Sequence, residues 1–336
     1  MHCKEAAETV NLCGSLKLVL AALGCSVLWA AGGALAQAYP TKAIRVVVPF
    51  APGGATDITG RAVGAAMSET LKQGVVVENR AGGGGIIGAD VVAKAPPDGY
   101  TVLLGTPAEI AILPHLQKLP YDPLRDFVPV SLATSSPLIL VAHPSLPVKS
   151  VAQLVALARA RPGQLNFATS GLGSTNHLSA EVFRSISKIK IGYVPYKGGG
   201  PAVTDLMGGH VDAMFATLPS AVTFVQSGKL KALVVTDEKR WPAVAEVPSA
   251  KEAGLPDLVV ITWNGVLAPA GMPAALIAKL HADIVRVANT QDMKDRMATL
   301  AAQVVTTSPE EFAAILRKDF QKWLKVIKDS GARLEN

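Results

Sequence analysis

Two glycine-rich corners of the chain carry the groups that could bind an anion through main-chain atoms. In the first, the apolar run Ile44–Val48 ends at two prolines and two glycines, and a helical pattern begins at Thr56 and Asp57. A helix that starts after such a turn leaves N–H groups without partners at its N-terminus. The second corner, Asn79–Gly88, also joins an apolar run to a helical pattern. Two such corners predict the mouth of a site for an anionic ligand.

A third segment, residues 168–177, offers hydroxyl groups and main-chain amides at the start of another predicted helix. Ser174 or Thr175 could simply cap this helix. The alternative, which we favour, is that the segment holds a ligand from the side opposite the glycine corners. His177 lies one step inside the helix, and we expect it to have a packing or capping role.

The spacing of Gly83, Gly85 and Gly88 matches a dinucleotide-binding fingerprint. That fingerprint also needs an acidic residue about 20 positions further on to hold the ribose. The corresponding segment, Thr101–Gly105, contains no acidic residue. We therefore expect no nicotinamide or other cofactor.

Catalytic and metal-binding motifs are weak in this sequence. His210 and Asp212 alternate near Asp205, but neither an H-E-x-x-H motif nor a dense acidic cluster accompanies them. Ser170 and Ser174 lack the glycine two places upstream that a G-x-S-x-G nucleophile elbow requires. The sequence therefore predicts neither an enzyme nor a metal site.

Residues 1–36 have the three parts of a secretory signal. Lys4 and Lys17 precede the apolar run Leu18–Ala31, and Ala34–Ala36 forms a small-residue cleavage site. The apolar run is shorter than the roughly 20 residues of a membrane-spanning helix, which disfavours an uncleaved anchor. We predict an exported, periplasmic and soluble monomer whose mature chain begins near Gln37.

The positions of the cysteines and the distribution of charge argue against thiol chemistry and against a nucleic-acid partner. Cys3, Cys13 and Cys25 all lie in the leader, so the mature chain would have neither a disulfide nor a reactive thiol. The residues before Cys25 fit a lipoprotein signal poorly, and an acylated chain is the weaker alternative. The formal net charge is +6, but the basic residues are spread without a dense run, which argues against a nucleic-acid partner.

Short β-branched runs alternate with longer helical patterns, which is typical of α/β proteins with parallel strands. Strands are predicted at Ala43–Val48, Val75–Glu78, Thr101–Gly105, Leu138–Ala142, Leu165–Ala168, Ile191–Pro195, Ala213–Ala216, Ala232–Thr236 and Gly265–Ala268. Helices are predicted after the glycine turns and at Val151–Arg159, His177–Ser187, Ala202–Met207, Ser220–Gln226, Ala274–Ala288, Met293–Leu300 and Pro309–Ser330.

The order of these elements predicts two α/β lobes joined by a hinge. One lobe would comprise residues 37–138 and 264–336, and the other residues 139–263. The first corner is echoed by residues 194–205, which repeat a Val-Pro-aromatic segment followed by glycines and, later, Thr-Asp. This echo is either chance or a sign that two similar corners face one cleft.

Six motifs in order make the chain similar to the Bug-type extracytoplasmic solute receptors of tripartite tricarboxylate transporters. The similarity extends over essentially the whole mature chain. The motifs are Pro49-Phe50-x-Pro52-Gly53-Gly54-x-x-Asp57, Asn79-Arg80-x-Gly82-x-x-Gly85-x-x-Gly88, Leu119-Pro120-Tyr121-Asp122, Gly173-Ser174-x-x-His177-Leu178, Tyr196-Lys197-Gly198-x-x-Pro201-Ala202 and Trp263-x-Gly265-x-x-Ala268-Pro269-x-Gly271-x-Pro273.

The resemblance implies a two-lobe periplasmic-binding-protein fold, of the Venus flytrap type, that closes on a small carboxylate held by main-chain groups and water. Carried over residue by residue, it places one wall of the site at Phe50, Pro52, Gly53, Gly54, Thr56, Asp57, Gly84, Gly85 and Thr106. It places the opposite wall at Ser170, Ser174, Thr175, Lys197 and Thr217. Asp57 could contact the ligand or cap its helix.

The segment after the third strand departs from many relatives, which carry a polar stretch with histidine there. This chain has Pro107, which stiffens the backbone, and Glu109, whose charge would disfavour a second carboxylate on the ligand. We expect a binding protein that delivers a small organic acid to membrane transporter subunits. The alternative is a subunit that presents the acid to a membrane sensor kinase, and an exported enzyme is the third possibility.

Overall fold

The computed structural model describes residues 39–334, so the predicted leader with its cysteines and cleavage site lies outside the described residues. The strands are, in chain order, β1 (Ile44–Val48), β2 (Val75–Asn79), β3 (Thr101–Gly105), β4 (Phe127–Ala142), β5 (Asn166–Thr169), β6 (Gly192–Pro195), β7 (Ala213–Thr217), β8 (Lys231–Val235), β9 (Ile261–Pro269) and β10 (Gln303–Val304).

The helices flank these strands and begin, in most cases, directly after a turn. They are α1 (Ala55–Leu71), α2 (Ile86–Ala93), α3 (Val151–Ala160), α4 (Thr175–Ser187), α5 (Gly199–Met207), α6 (Leu218–Gln226), α7 (Ala274–Ala288), α8 (Gln291–Thr299) and α9 (Pro309–Ser330). Within residues 39–334, no helix has the length and apolar character needed to cross a bilayer.

Two sheets share the long strand β4. In the first sheet, β1 pairs in parallel with β2 and β3, and β9 lies antiparallel between β3 and residues 127–137 of β4. In the second sheet, residues 138–142 of β4 pair with β7 and β8, and β5 pairs in parallel with β6 and β7. We call the first sheet with its flanking helices α1 and α2 the first lobe, and the second sheet with α3–α6 the second lobe.

Alternation along β4 gives the second lobe a core on each face of its sheet. Leu138 and Leu140 pack into one cluster of buried side chains, and Ile139 and Val141 pack into the other. Successive side chains of a strand point to opposite faces, so a continuous apolar run indicates a strand covered on both sides. The predicted α/β class with two lobes is confirmed.

The C-terminal helix α9 contacts the cores of both lobes. Phe312 and Leu316, near its start, pack with first-lobe residues such as Val47, whereas Trp323 and Ile327 pack into the second-lobe cluster. A capping box between Ser308 and Glu311 begins this helix. The helix therefore links the lobes in addition to the strand connections.

Candidate functional site

A cavity of ≈ 40 Å³ lies between the two lobes at the ends of several strands. At about 10–15 Å³ for each water-sized group, this volume suits the head group of a small molecule rather than a large ligand. The lining residues are Phe50, Gly54, Ala55, Thr56, Thr106, Ala108, Ser170, Ser174, Thr175, Asn176, Gly199, Thr217, Thr262 and Asn264.

Four helix N-termini converge on this cavity. Gly54 precedes α1, Ser174 precedes α4, Gly199 is the first residue of α5, and Thr217 precedes α6; all four residues line the cavity. The first turn of a helix has N–H groups without intrahelical partners, and the helix dipole adds positive potential there. Among the described lining residues no side chain is charged, so the positive potential comes from the main chain.

The corner before α1 is held by the carboxylate of Asp57. This carboxylate accepts hydrogen bonds of 3.0 Å from the N–H of Gly53, from Arg61 Nε and from Asn79 Nδ2. Burial acts to raise the pKa of Asp57, but the bonds from Arg61, Gly53 and Asn79 outweigh it and lower that pKa. Gly53 has φ +83°, a conformation that favours glycine. Asp57 therefore lies behind the cavity and fixes the shape of its wall.

The second-lobe wall is held by side chains that bond to one another. Ser170 donates to Asn176 Oδ1 over 2.5 Å, and Asn176 Nδ2 donates to the carbonyl oxygen of Phe215 over 2.5 Å. Ser174 Oγ accepts the N–H of His177 at 3.2 Å and so caps α4. The capping interpretation of Ser174 is thus confirmed, and the same residue also faces the cavity.

Thr106 completes the first-lobe wall, and a buried carboxyl group lies behind it. Thr106 N–H and O–H donate to the two carboxyl oxygens of Glu109 over 2.6 and 2.7 Å. Glu109 is fully buried and does not line the cavity. Burial raises the pKa of Glu109 to about 7, although its bonds with Thr106 act in the opposite direction.

A larger second cavity of ≈ 440 Å³ adjoins the first, and Phe50 and Ser170 line both. Gly84, Gly85 and Lys197 line this second cavity, together with Gly82, Gly83, Gln117, Gly171, Leu172, Pro195, Tyr196 and Leu334. The ammonium group of Lys197 provides a cationic side chain here, which the first cavity lacks. An anionic or polar group on the distal part of a ligand could interact with it.

The lobes meet through glycines at two places. A Cβ atom on Gly84 would lie 2.8 Å from the carbonyl oxygen of Leu172, and one on Gly200 would lie 2.2 Å from the carbonyl oxygen of Pro52. Real Cβ atoms do not approach this closely, so the contacts require glycine. The residues that echo the first corner, 194–205, therefore meet that corner directly.

The structure distributes the residues predicted for the site over three locations. Phe50, Gly54, Thr56, Thr106, Ser170, Ser174, Thr175 and Thr217 line the first cavity. Gly84, Gly85 and Lys197 line the second cavity. Pro52, Gly53 and Asp57 line neither cavity and instead form the corner that supports α1.

Six residues line the first cavity without having been predicted from the sequence: Ala55, Ala108, Asn176, Gly199, Thr262 and Asn264. Asn264 Nδ2 donates to Thr134 Oγ1 over 3.1 Å, which orients its amide at the back of the cavity. Thr262 and Asn264 are two residues apart in a buried strand, so their side chains point to the same face. This alternation of polar residues is the sequence pattern that could identify them as lining residues. No group of three metal-ligating side chains is found among residues 39–334.

Comparison with known proteins places the chain in a family. A family model described as the tripartite tricarboxylate transporter family receptor matches residues 59–332. BugT of Bordetella pertussis is 38% identical over 302 residues, which cover 89% of this chain and 93% of BugT.

Two solved structures have the same fold along their whole length. R. palustris Rpa4515 with adipate has a TM-score of 0.85 and 37% identity, covering 88% of this chain and 100% of that one. The periplasmic binding protein BugD has a TM-score of 0.85 and 33% identity, covering 88% and 99%. The resemblance drawn from the motifs is confirmed: this chain belongs to the tripartite tricarboxylate transporter receptor family and is a Bug-type receptor.

Proposed function

We propose that this protein binds a small organic acid with one carboxylate in the first cavity. The observation that supports the proposal is the convergence of four helix N-termini on a cavity whose described lining has no charged side chain. Main-chain N–H groups at helix N-termini bind anions, and bonds to a carboxylate are charge-assisted. Hydroxyl groups of Thr56, Ser174 and Thr175 add further donors to the same space.

Contrary to the expectation drawn from Glu109, which lines neither cavity, the adjoining cavity supports a dicarboxylate as the ligand class. A chain that passes Phe50 and Ser170 would bring its second carboxylate towards Lys197. The solved relative Rpa4515 contains adipate, a six-carbon dicarboxylate, and this agrees with a head group and a distal acid in two neighbouring cavities. Adipate is therefore the first acid to test.

We also propose that binding stabilises the arrangement in which the lobes touch. The first cavity draws its lining from both lobes, so a ligand inside it binds this arrangement better than an open one. The proposed lobe boundaries are residues 37–138 with 264–336, and residues 139–263. The mature protein would be a non-catalytic periplasmic monomer, cleaved near Ala36, that delivers its acid to the membrane subunits of a transporter.

A thermal-shift screen of mono-, di- and tricarboxylates, followed by calorimetry of the acids that stabilise the protein, tests this function. We expect at least one acid, adipate first, to raise the unfolding temperature and to be recovered unchanged after incubation. Consumption of the acid would indicate an enzyme, and the absence of any binding would contradict the proposed site.

Delivery to a transporter is tested in cells that lack the gene. Uptake of the labelled acid should fall in these cells and return when the gene is restored. Unchanged uptake together with a lost transcriptional response to the acid would favour the sensor alternative.

A further inference from the structure

Glu109 is a buried carboxyl group that the proposed binding site does not use directly. Its side chain has 0% exposure, in the turn that follows β3. Two glycines make room for it: a Cβ atom on Gly85 would lie 2.9 Å from Glu109 Oε2, and one on Gly105 would lie 3.2 Å from Oε1. The chain therefore accommodates a carboxyl group immediately behind the cavity wall.

Thr106 connects this carboxyl group to the cavity, because it is hydrogen-bonded to Glu109 and also lines the cavity. Its N–H donates to Glu109 Oε1 over 2.6 Å, and its O–H donates to Oε2 over 2.7 Å. The Thr106 oxygen also accepts the N–H of Ala108 at 3.2 Å. The N–H and the hydroxyl group of Thr106 thus both have defined partners.

The protonation state of Glu109 decides what Thr106 presents to a ligand. An ionised carboxylate only accepts hydrogen bonds, so the single hydroxyl proton of Thr106 must point at Glu109. A lone pair of Thr106 would then face a ligand carboxylate, which is unfavourable. A protonated Glu109 can instead donate from Oε2 to Thr106 Oγ1, and the Thr106 O–H is then free to donate to the ligand.

The surroundings of Glu109 favour the neutral form. Burial raises its pKa to about 7, and no ion pair offsets this among the described residues. Tyr121 donates to the main-chain oxygen of Glu109 over 2.9 Å, not to its carboxyl group. The elements that pack around Glu109 carry other titratable or charged groups. These are Asp90 and Lys94 on α2, His115, and the charged side chains of α9, whose buried face carries Phe312 and Leu316.

We propose that Glu109 is a positioning residue that takes up one proton when the acid binds, so that Thr106 can donate its hydroxyl proton to the bound carboxylate. This inference rests on the proposed function of the same cavity. The proton comes from solvent and moves to Glu109 Oε2, and no covalent bond other than this O–H changes. The ligand binds as an anion, and Glu109 and the ligand do not carry negative charge side by side.

Calorimetry of the wild-type protein with adipate, in buffers of different ionisation enthalpy, tests the proposal without any variant. Adipate is fully ionised at about pH 7–8, so uptake there reports on the protein. We expect uptake of close to one proton at about pH 8 and a fall towards zero at about pH 6, where Glu109 is already protonated. The affinity should fall about tenfold for each pH unit above the pKa of Glu109.

Glu109→Gln provides a neutral mimic, because its amide can donate to Thr106 Oγ1 and accept from the Thr106 N–H. We expect this variant to bind adipate at about pH 8 as tightly as the wild type does at about pH 6, without proton uptake. In the double variant Glu109→Gln/Thr106→Val this gain should be lost, because the hydroxyl is absent.

The two proposals fail in different ways. Binding of adipate, or of another acid from the screen, with no proton uptake and the same pH profile in Glu109→Gln would overturn the role of Glu109 alone. A failure of every acid to bind would overturn the proposed function and this inference with it.

Discussion

The main-chain N–H of Ala51 donates a hydrogen bond of 2.9 Å to the carbonyl oxygen of Lys197, and this bond joins the glycine corners of the two lobes. Gly198 and Gly200 flank the contact on one side. A Cβ atom on Gly198 would lie 2.9 Å from the Ala51 nitrogen, and one on Gly200 would lie 2.2 Å from the Pro52 oxygen. The observed contact between the lobes therefore depends on the absence of side chains at these positions.

Gly200→Ala should oppose closure of the lobes. Gly200 lies in the first turn of α5 and does not have a positive φ, so alanine requires no left-handed backbone there. Its new methyl group would nevertheless collide with Pro52. We expect adipate to bind more weakly and to reduce the radius of gyration less than in the wild type, as measured by X-ray scattering.

Gly74→Ala is the matched control, because a Cβ atom there would meet only an ordinary contact of 3.6 Å with Ala43 Cβ, and Gly74 lines neither cavity. It should leave the scattering change intact. If Gly200→Ala compacts as fully as Gly74→Ala when adipate is added, the contact between the corners does not limit closure.

Ser174→Ala should cost both stability and affinity. Ser174 caps α4 through a bond of 3.2 Å from the His177 N–H, and loss of such a cap destabilises a protein by about 1 kcal/mol. Ser174 also lines the first cavity, and a hydrogen bond to a charged group contributes about 1.5–3 kcal/mol, or roughly ten- to a hundredfold in affinity. Chemical denaturation and calorimetry measure the two effects separately.

Ser150→Ala is the control variant that removes a helix cap without changing the lining of the first cavity. Ser150 caps α3 through the N–H of Gln153 at 3.3 Å and is not part of the lining. It should cause a similar loss of stability with unchanged affinity for adipate. Equal losses of affinity in the two variants would show that Ser174 acts only through the helix.

The sequence predicts most strands correctly because their apolar runs are short and uninterrupted, but it misses the length of β4. Only Leu138–Ala142 was predicted, whereas the strand begins at Phe127. Pro129 and Pro137 interrupt the apolar pattern of this strand. In the structure, the pairing of β4 with β9 continues past them through register shifts next to Pro129 and Leu132. The strand β9 was also predicted too short, starting at Gly265 instead of Ile261.

The candidate site was predicted best where main-chain chemistry determines the residue type. Glycines and hydroxyl residues at strand-to-helix turns, together with Phe50, account for the eight of the fourteen lining residues of the first cavity that the sequence indicates. Gly199 and Gly200 were missed as helical residues because glycine favours turns over helix interiors. The contact of Gly200 with Pro52 joins residues far apart in sequence, and no local pattern reports such a contact.

Lys197→Met should weaken the binding of a dicarboxylate selectively. Lys197 lines the second cavity and is exposed, so its interaction with a distal carboxylate should contribute no more than about 1 kcal/mol, or a few-fold in affinity. Binding of hexanoate, which lacks the second acid, should not change. The exposed Lys190→Met is the control, and an equal effect of both variants on adipate would point to overall charge instead.

Acid should destabilise the protein through His177. This side chain is buried, and its Nδ1 accepts the N–H of Gly173 at 3.2 Å, so that nitrogen must be unprotonated. Burial lowers the pKa of His177 below that of an unfolded histidine, near 6.5, and the nearby Glu181 only partly opposes this. The unfolded chain therefore binds the proton first, and stability is lost as the pH falls from about 6.5 through the lower pKa of the folded state.

His177→Asn should remove this loss, because its side-chain oxygen can accept the Gly173 N–H and does not titrate. We expect the difference in the free energy of unfolding between about pH 7.5 and pH 5 to shrink in this variant, with each unit of pKa difference contributing about 1.4 kcal/mol. His210→Asn, at an exposed position, is the control. Urea denaturation at the two pH values measures the change, and a pH dependence identical to that of the wild type would exclude His177 as its source.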